Sequence, residues 1–239
     1  MKSLCISDLH LSAERPEVLS RFLAFIEDTA ATCNRLYILG DLFDVWVGDD
    51  DSSVPIPQVK DALVSLVSKG DEVILMHGNR DFLIGDDFVR DTGVKLAQDP
   101  LLVDFGGIPT LLMHGDLLCT DDLAYQQARL FLRNPATIAD FLSRSLEERH
   151  VLAAGYRKQS GEATSLNAED IMDVNEQSVT DYLKKFQAKR LVHGHTHRPG
   201  MHEVVWPGGS AMRYVLPEWQ ESGAGYLEFI GSKIVAEHC

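Results

Sequence analysis

Residues 35–44 read RLYILGDLFD, a short apolar run followed by a glycine and two carboxylates. Such a run, rich in branched side chains and bounded by a turn residue, is typical of a buried β-strand. Runs of this kind predict strands at Lys2–Ser7, Arg35–Leu39, Val73–His77, Thr110–His114 and Arg190–His193. Helical spacing of apolar residues predicts helices at Arg15–Thr32, Ile56–Ser68 and Ile171–Phe186. The alternation of strands and helices predicts an α/β fold.

Two parts of the chain depart from this alternation. The C-terminal segment Met212–Ala236 is predicted to form short strands joined by glycine-rich turns. The segment Tyr125–Lys158 shows helical spacing alone, broken at Asn134-Pro135, and it is locally basic in an acidic chain. We interpret it as a helical insertion on the α/β body whose basic side chains form a solvated helix face. Apolar surface beside arginine and lysine would also suit contact with an anionic bilayer.

Composition limits the functions open to the chain. Its 239 residues include 22 Lys and Arg against 36 Asp and Glu, a formal net charge of −14, which disfavours binding to nucleic acid. The four cysteines are scattered singly, as expected in a reducing compartment. Asp8 and His10 interrupt the segment where a signal peptide needs apolar residues, and no stretch approaches the ~18 apolar residues of a membrane span. We therefore expect a cytosolic protein, or one that rests on a membrane surface.

Each predicted strand ends in a small cluster of residues that commonly ligate metals. The clusters are residues 7–10 (SDLH), 40–44 (GDLFD), 77–81 (HGNRD), 114–116 (HGD) and 193–197 (HGHTH). In an open α/β sheet the carboxyl ends of the strands meet at one crevice, where ligands bind. A single cluster of this type is more often a turn or a helix cap than a ligand set. Five of them at equivalent positions predict one metal site.

The ligand types indicate the kind of ion. The candidate ligands are Asp8, His10, Asp41, Asn79, His114, His195 and His197. Carboxylate, imidazole and amide oxygen without thiolate suit Mn²⁺, Fe²⁺, Zn²⁺ or Mg²⁺ rather than a structural zinc. These ligands are too many for one tetrahedral ion, but they suit two ions that share a carboxylate, for which Asp41 is the candidate. Two such cations activate a water and neutralise charge on a phosphoryl oxygen.

These residues, together with the strings ISDLHLSAERP, YILGDLFDVWVGDD, MHGNRDFLIG, LLMHGDLLCTDD and HGHTHRP, resemble the calcineurin-like metallophosphoesterases. The resemblance runs from the first predicted strand to the last. It implies two packed mixed β-sheets flanked by helices, an αββα sandwich, in a single domain over residues 1–239. It implies that one Mn²⁺ is held by Asp8, His10, Asp41 and His197. It implies that the other is held by Asp41, Asn79, His114 and His195.

The longer strings resemble a branch of this family that acts in lipid A biosynthesis. Members of this branch hydrolyse the pyrophosphate of a uridine-diphosphate-linked diacylglucosamine, and a helical cap, here residues 122–170, holds the substrate over the metals. The resemblance implies that Asp41, Asn79 and His195 are catalytic. It implies substrate contacts from Asn79, Arg80, Asp122, Ser160, Thr164 and His195. It also implies peripheral contact with the cytoplasmic face of the inner membrane, which supplies a diacyl substrate.

At two positions, 80 and 167, this chain carries a residue different from the one found in many members of the family. Many relatives carry histidine after the Gly-Asn pair where this chain has Arg80, as the lipid-pathway branch does. Arginine binds phosphate as a fixed planar donor and cannot act as a general acid, so we assign Arg80 to substrate phosphate. The alternative is a structural ion pair with Asp81 or Asp116. Asn167 stands where relatives often have lysine, which leaves its contact with substrate open.

Two other functions remain open from the sequence. The same chemistry would serve a nucleotide phosphodiester or a phosphoprotein, although a generic phosphodiesterase needs no apolar cap. A chain with this fold could also be a scaffold that binds no metal, although such proteins usually lack several of the ligands. A nucleophilic side chain is not suggested, because neither a GxSxG elbow nor a Cys–His signature occurs in the sequence.

Overall fold

The computed structural model describes residues 1–166 and 173–238, with side chains described for residues 1–158 and 173–237. The strands are β1 Lys2–Ile6, β2 Arg35–Ile38, β3 Glu72–Met76, β4 Lys95–Ala97, β5 Leu101–Phe105, β6 Ile108–Leu112, β7 Arg190–His193, β8 Gly200–Trp206, β9 Gly209–Val215, β10 Gly225–Ile230 and β11 Lys233–His238. The α-helices are α1 Pro16–Ala24, α2 Ile56–Ser68, α3 Asp86–Thr92, α4 Leu123–Leu132, α5 Pro135–Leu142, α6 Leu146–Leu166 and α7 Glu176–Lys185.

The strands form two mixed sheets. The first has the order β11-β10-β1-β2-β3-β4, and the second has the order β5-β6-β7-β9-β8. Strands β1 to β4 are parallel neighbours, and β6, β7 and β9 are parallel neighbours in the second sheet. All five predicted strands are present, and four of the five end one to two residues earlier than the sequence predicts.

Alternation along the central strands explains the layering. On β2, Leu36 and Ile38 face a core shared with α1, α2 and α3, whereas Tyr37 faces a core between the two sheets. On β7, Val192 belongs to the core between the sheets, and Leu191 packs toward α7 on the outer face. Successive strand residues point to opposite faces, so a run that is apolar throughout fills both cores. The expected αββα sandwich is confirmed.

Two predicted helices have different bounds in the structure. The predicted helix Arg15–Thr32 is α-helical only as far as Ala24, and a π-helical turn Phe25–Thr29 and a 3₁₀ turn Ala30–Thr32 complete it. The last helix begins at Glu176, because the side chain of Asn175 accepts a hydrogen bond from the main-chain N–H of Ser178 and caps it. Residues 171 and 172 of the predicted helix lie outside the described residues.

The insertion is helical, as predicted, and consists of α4, α5 and α6. The predicted break is the start of α5, where the Asn134 side chain accepts from the main-chain N–H of Ala136 and Pro135 occupies the first turn. Neither α4 nor α5 contains a fully buried side chain. Among the described helices, none has the length and apolar character needed to cross a bilayer.

Candidate metal centre

The candidate ligands lie on five loops at one end of the two sheets. Each loop leaves a parallel-paired strand, in the order β1, β2, β3, β6 and β7. The main chains of neighbouring loops bind each other directly. The N–H groups of Leu9 and His10 donate to the carbonyl of Asp41 at 2.9 and 3.0 Å, and the N–H of Gly194 donates to the carbonyl of His114 at 2.8 Å. Side chains far apart in sequence are therefore brought together by the sheets.

Most candidate ligands have an unusual backbone conformation. In the described part of the chain, six residues other than glycine have positive φ: Asp8, His10, Asp41, Gln187, His195 and His197. Five of these six are candidate ligands. Positive φ is uncommon for residues with a side chain and persists where the surroundings enforce it, which is most often at functional sites. Positive φ angles and the sequence motifs thus point to largely the same residues as a functional site.

The first group of donors comprises Asp8, His10 and His197. Their ligand atoms lie within 4.8 Å of one another. Nε2 of His197 lies 3.5 Å from Oδ1 of Asp8 and 3.4 Å from Nε2 of His10. Two buried atoms of the group, Oδ1 of Asp8 and Nδ1 of His10, lack a hydrogen-bond partner among the described residues. Converging donors with unused lone pairs fit a bound cation.

The second group comprises Asp8, Asp41 and His114, with ligand atoms again within 4.8 Å of one another. Asn79 adjoins this group, because its Oδ1 lies 2.9 Å from Nε2 of His114 and 2.9 Å from Nδ1 of His195. All seven predicted ligands therefore lie in one place.

Two carboxylates connect the groups. Asp8 belongs to both. Asp41 also reaches both, since its Oδ2 lies 3.8 Å from Nδ1 of His10 and its Oδ1 lies 3.9 Å from Nε2 of His114. The arrangement is compatible with Asp41 as the shared ligand of two ions.

The electrostatics of the cluster also fit cations. Burial, opposed in part by the nearby His114, raises the pKa of Asp41 to about 7, so its charge is costly unless a positive group lies beside it. Burial lowers the pKa of His10 to about 4 and that of His195 to about 3. These two imidazoles are therefore neutral at pH 7, which is the form that ligates metals. Burial opposes protonation of the other two, but Asp41 raises the pKa of His114 to about 9. Asp8 and Glu218 likewise raise the pKa of His197 to about 10, so both rings would release a proton on binding a metal. The oxygen and nitrogen donors suit Mn²⁺, Fe²⁺, Zn²⁺ or Mg²⁺.

Two glycines allow the loops to approach this closely. A Cβ atom at Gly78 would lie 2.1 Å from Oδ1 of Asp41, and one at Gly194 would lie 2.0 Å from Oδ2 of Asp8. Asp81 braces the same loops, because its buried carboxylate accepts from the main-chain N–H groups of Gly78 at 2.8 Å and Leu42 at 2.7 Å. The Nδ1–H of His114 donates to the carbonyl of Leu39 at 2.9 Å, which directs Nε2 toward Oδ1 of Asn79 and the other candidate ligands.

Arg80 lies at the edge of the centre. Its main-chain N–H donates to Oδ1 of Asp41 at 2.8 Å, whereas its guanidinium makes no hydrogen bond or ion pair with the described residues. The alternative partners are engaged elsewhere: Asp81 accepts main-chain N–H groups, and Asp116 is bound by Arg129, with 2.6 Å between Nε and Oδ2. The structural ion pair weighed as the alternative role for Arg80 is not formed in the described residues.

The remaining predicted substrate residues lie on or beside the insertion. Asp122 caps α4, because its Oδ1 accepts from the main-chain N–H of Tyr125 at 2.9 Å. Ser160 and Thr164 fall within α6, and their side chains lie outside the described residues, as does Asn167. The ring of Tyr125 lies 5.7 Å from that of His195, so α4 borders the metal centre.

Arginines on α4 connect the insertion to the metal-centre loops. Asp116 is fully buried and accepts from Nε of Arg129 at 2.6 Å and from the Tyr125 hydroxyl at 2.8 Å. Arg133 donates to the carbonyl of Gly78, next to Asn79, at 2.8 Å. This face of α4 is therefore fixed against the loops that carry His114 and Asn79.

Basic residues of α6 connect it to the loop after β2. Arg149 is 3% exposed and donates to the carbonyl of Val47 at 2.7 Å and to Asp50 at 2.8 Å. Arg157 pairs with Asp44 at 2.7 Å, and His150 lies 3.0 Å from Asp51. The expectation that the basic residues of the insertion form a solvated helix face is wrong for Arg149, which is buried against the body. Arg157 is 44% exposed and remains at the solvated surface, although it pairs with Asp44.

The insertion also exposes large apolar side chains. These side chains are exposed by between 40% and 72%. They are Leu123, Leu130, Phe131, Leu142, Val151 and Tyr156. Apolar side chains of this size mark a contact surface where they form one continuous patch.

The model of the calcineurin-like phosphoesterase family matches residues 1–199. The chain therefore belongs to the calcineurin-like phosphoesterase family. Its curated relatives carry a more particular name. A UDP-2,3-diacylglucosamine hydrolase of Marinobacter nauticus is 46% identical over 222 residues, which are 93% of this chain and 91% of that protein. Another, of Aromatoleum aromaticum, is 44% identical over 232 residues, which are 97% of this chain and 94% of that protein.

One solved structure, an archaeal phosphodiesterase, aligns with 100% of this chain and 99% of its own at 12% identity, with a TM-score of 0.49. The family membership follows from the family match and the two relatives. It agrees with the expectation from the motifs and the sheet topology.

Sequence reasoning did not find two residues that matter at the centre. Asp116 anchors α4, whereas the sequence only places it in the cluster of residues 114–116 and offers it as a partner for Arg80. Glu218 lies 3.2 Å from Nδ1 of His197 and stands in a segment without any ligand-like motif. Only the folded chain brings Glu218 to the centre.

Proposed function

We propose that the chain is a two-metal hydrolase of UDP-2,3-diacylglucosamine that forms UMP and 2,3-diacylglucosamine 1-phosphate in lipid A biosynthesis. The observation that carries the proposal is the convergence of seven oxygen and nitrogen donors at one end of the sheets, beside a helical insertion that exposes several large apolar side chains. The names of relatives that are 46% and 44% identical over nearly the whole chain support the substrate.

The seven candidate ligands would hold two Mn²⁺ ions. The alternatives are Mg²⁺, Fe²⁺ and Zn²⁺, and metal analysis of the purified protein would identify which ion is bound. One ion would be held by Asp8, His10, Asp41 and His197. The other would be held by Asp41, Asn79, His114 and His195. When bound, the ions lower the pKa of a water and neutralise charge on the phosphoryl oxygens.

The chain itself contributes orientation and charge. Arg80 holds phosphate oxygens with its guanidinium, which has no other partner among the described residues. Asn79 and His195 would stabilise the charge that develops on the reacting phosphate, and Asp41 would be a ligand of both ions. The bond that breaks joins a phosphorus to the bridging oxygen of the pyrophosphate, and the oxygen that replaces it comes from water.

The insertion would hold the lipid part of the substrate. In this proposal residues 1–239 are one domain, and residues 122–170 are a cap over the metal centre. Acyl chains would contact apolar side chains such as Leu130 and Phe131, which are 72% and 59% exposed. Asp122, Ser160 and Thr164 would contact the polar part of the substrate.

The same apolar side chains support peripheral contact with the cytoplasmic face of the inner membrane. Several of the arginines that sequence reasoning offered to anionic lipid are paired with the body, such as Arg149 with Asp50 and Arg157 with Asp44. Apolar contact, rather than basic charge, is therefore the support for this localisation.

Phosphorus NMR of the purified chain with Mn²⁺, UDP-2,3-diacylglucosamine and ¹⁸O-enriched water tests the function. We expect UMP and the sugar 1-phosphate, with ¹⁸O in only one of them, which identifies the phosphorus that is attacked. If the chain hydrolyses a nucleotide phosphodiester or a phosphopeptide faster than UDP-2,3-diacylglucosamine, the proposed substrate is wrong, but the proposed two-metal hydrolysis stands. Fewer than one tightly bound metal per chain would favour a scaffold without catalysis.

A double variant, Leu130→Ser with Phe131→Ser, tests the role of the cap. We expect a higher KM for the diacyl substrate and unchanged turnover of a small soluble phosphodiester, because the variant removes apolar contacts without touching the metal ligands. Val205→Ser is the matched control, since Val205 is 70% exposed but lies on β8. An unchanged KM in the double variant would contradict acyl-chain binding by the cap.

A further inference from the structure

His197 is the most exposed member of its donor group. Its side chain is 37% exposed, compared with 7% for His10 and 0% for Asp8. A buried ligand is held in place by the side chains packed around it, but packing holds an imidazole at the surface much less firmly. A metal ligand in this position needs another means of orientation.

Glu218 lies on the outer side of the His197 ring. Its Oε2 is 3.2 Å from Nδ1 of His197, whereas Nε2 on the opposite edge faces Asp8 and His10. A carboxylate accepts a hydrogen bond, so Glu218 favours the ring form with the proton on Nδ1. The lone pair of Nε2 then points toward the two other donors.

The backbone of Glu218 is fixed by the next residue. The side chain of Trp219 is fully buried and packs edge-on against Phe22 and Phe25. The main-chain N–H of Trp219 donates to the carbonyl of Asp8 at 3.0 Å. Glu218 is thereby tied to the loop that carries a ligand of the same group.

Arg15 fixes the carboxylate of Glu218. Its Nη1 lies 3.7 Å from Oε1 of Glu218, the oxygen that does not face His197. The same guanidinium donates to the carbonyl of Trp219 at 2.6 Å and to that of Leu9 at 3.4 Å. Because Leu9 lies between Asp8 and His10, these contacts join Glu218 to the ligand loop at a second point.

His114 is oriented in a similar way, but its hydrogen-bond acceptor is a main-chain carbonyl rather than a side chain. There the Nδ1–H donates to the main-chain carbonyl of Leu39, and Nε2 faces the donors. In both histidines the outer nitrogen has a fixed acceptor and the inner nitrogen is left for the metal. At His197 the acceptor is a side chain, so substitution can remove it.

We propose that Glu218, held by Arg15, is a positioning residue that orients His197 toward the metal. The inference rests on the proposed metal centre and assigns a role to two residues outside the ligand set. Removal of Glu218 is expected to weaken Mn²⁺ binding by about 10–100-fold, the usual effect of losing such a partner. Folding without metal is expected to lose only what a partly exposed ion pair contributes, because the Glu218 side chain is 23% exposed and outside the core.

Titration calorimetry with Mn²⁺ alone on the wild-type chain, Glu218→Ala and Glu218→Gln tests the proposal. Glu218→Ala should lose the most affinity, and Glu218→Gln, which keeps an acceptor oxygen, should lose less. The matched control is Glu221→Ala. It removes the same charge three residues away, where the contact with Arg21 is made by the main-chain carbonyl. Arg15→Met should weaken binding by less than Glu218→Ala.

A spectroscopic measurement separates positioning from a general structural role. In the Zn²⁺-loaded protein, whose ions are diamagnetic, the Nδ1–H proton of His197 should give a slowly exchanging downfield signal that Glu218→Ala abolishes. The melting temperature in EDTA should fall by much less than the loss of Mn²⁺ affinity would predict in both Glu218→Ala and Glu218→Gln. A loss of melting temperature in EDTA that matches the loss of affinity would show a structural role and overturn the proposal.

Equal Mn²⁺ affinity of Glu218→Ala and Glu221→Ala would also overturn the positioning role. If the wild-type chain binds Mn²⁺ and hydrolyses its substrate in that case, the proposed function stands. If the wild-type chain binds no Mn²⁺, the proposed function fails together with this inference. If Glu218→Ala does not fold, Glu218→Gln decides, because it keeps the shape of the side chain.

Discussion

The metal centre and the helical insertion are adjacent but are held by different forces. The ligand loops of the centre extend strands buried on both faces and bind each other through main-chain groups, such as Leu9 and His10 to Asp41. The helices α4 and α5 have no fully buried side chain, and the insertion is joined to the body mainly by arginine contacts. The difference implies that changes in one region should leave the other largely intact.

The largest effect is expected in the centre. Asp41→Asn removes the charge of the proposed shared ligand, while asparagine tolerates the positive φ of 53° at this position. We expect kcat/KM to fall by at least ~10³-fold, since removing one group that stabilises transition-state charge already costs that much in some enzymes. Steady-state kinetics with bound-metal analysis measures the loss. Activity above a tenth of the wild-type value would contradict a shared role for Asp41.

Addition of metal is expected to stabilise the centre more than the insertion. At a free Mn²⁺ concentration 100 times the Kd, one site contributes about 2.7 kcal/mol to the free energy of unfolding. Thermal unfolding with Mn²⁺ and with EDTA measures the total effect, and hydrogen exchange locates it. Protection should rise in the loops after β1, β2, β3, β6 and β7 and change little in α5. An equal rise of protection from hydrogen exchange in the loops and in α5 would show that the two regions unfold as one unit.

Loss of a buried arginine contact should loosen the insertion alone. Arg149→Met removes the hydrogen bonds to Val47 and Asp50, and we expect α6 to lose about 1–2 kcal/mol of local stability. Hydrogen exchange in α6 measures this loss, and turnover of a small soluble phosphodiester should not change. Arg144→Met is the matched control, because Arg144 pairs with Asp140 on the surface of the insertion. Equal exchange in both variants would contradict anchoring by Arg149.

A smaller effect is expected at a second, more exposed ion pair, which joins Arg157 of α6 to Asp44 of the body. Arg157 and Asp44 are 44% and 19% exposed, and solvent screens their attraction. Arg157→Gln should therefore cost α6 less than about 1 kcal/mol, and the cost should shrink in 1 M NaCl. The same exchange measurement at two salt concentrations tests this. If Arg157→Gln lowers the local stability of α6 as much as Arg149→Met does, burial does not determine how much each arginine contact contributes.

Sequence reasoning predicted the centre better than the insertion, for a physical reason. A strand such as β2 and the ligand that follows it, Asp41, are encoded within ten consecutive residues, because alternation and turn chemistry are local. Topology then brings such segments together at one end of the sheets. The fold class and the convergence of the predicted ligands could be inferred in this way.

Features that depend on distant partners could not be inferred. Arg149 and Asp50 are 99 residues apart, and Glu218 lies 21 positions after His197, so neither pairing has a local pattern. Strand β8 was also missed, since its residues alternate weakly and most are exposed. The start of α7 at Glu176 depends on the side-chain cap at Asn175, which apolar spacing alone does not reveal.

The ion pairs of the insertion have a consequence for protein engineering. A chimaera that grafts the helices of residues 122–166 onto another phosphoesterase body would transfer the apolar surface without its supports. The recipient would also need carboxylates at the positions of Asp44, Asp50 and Asp116, because these groups hold Arg157, Arg149 and Arg129. Compatibility of the graft is thus decided by a few acidic residues of the recipient.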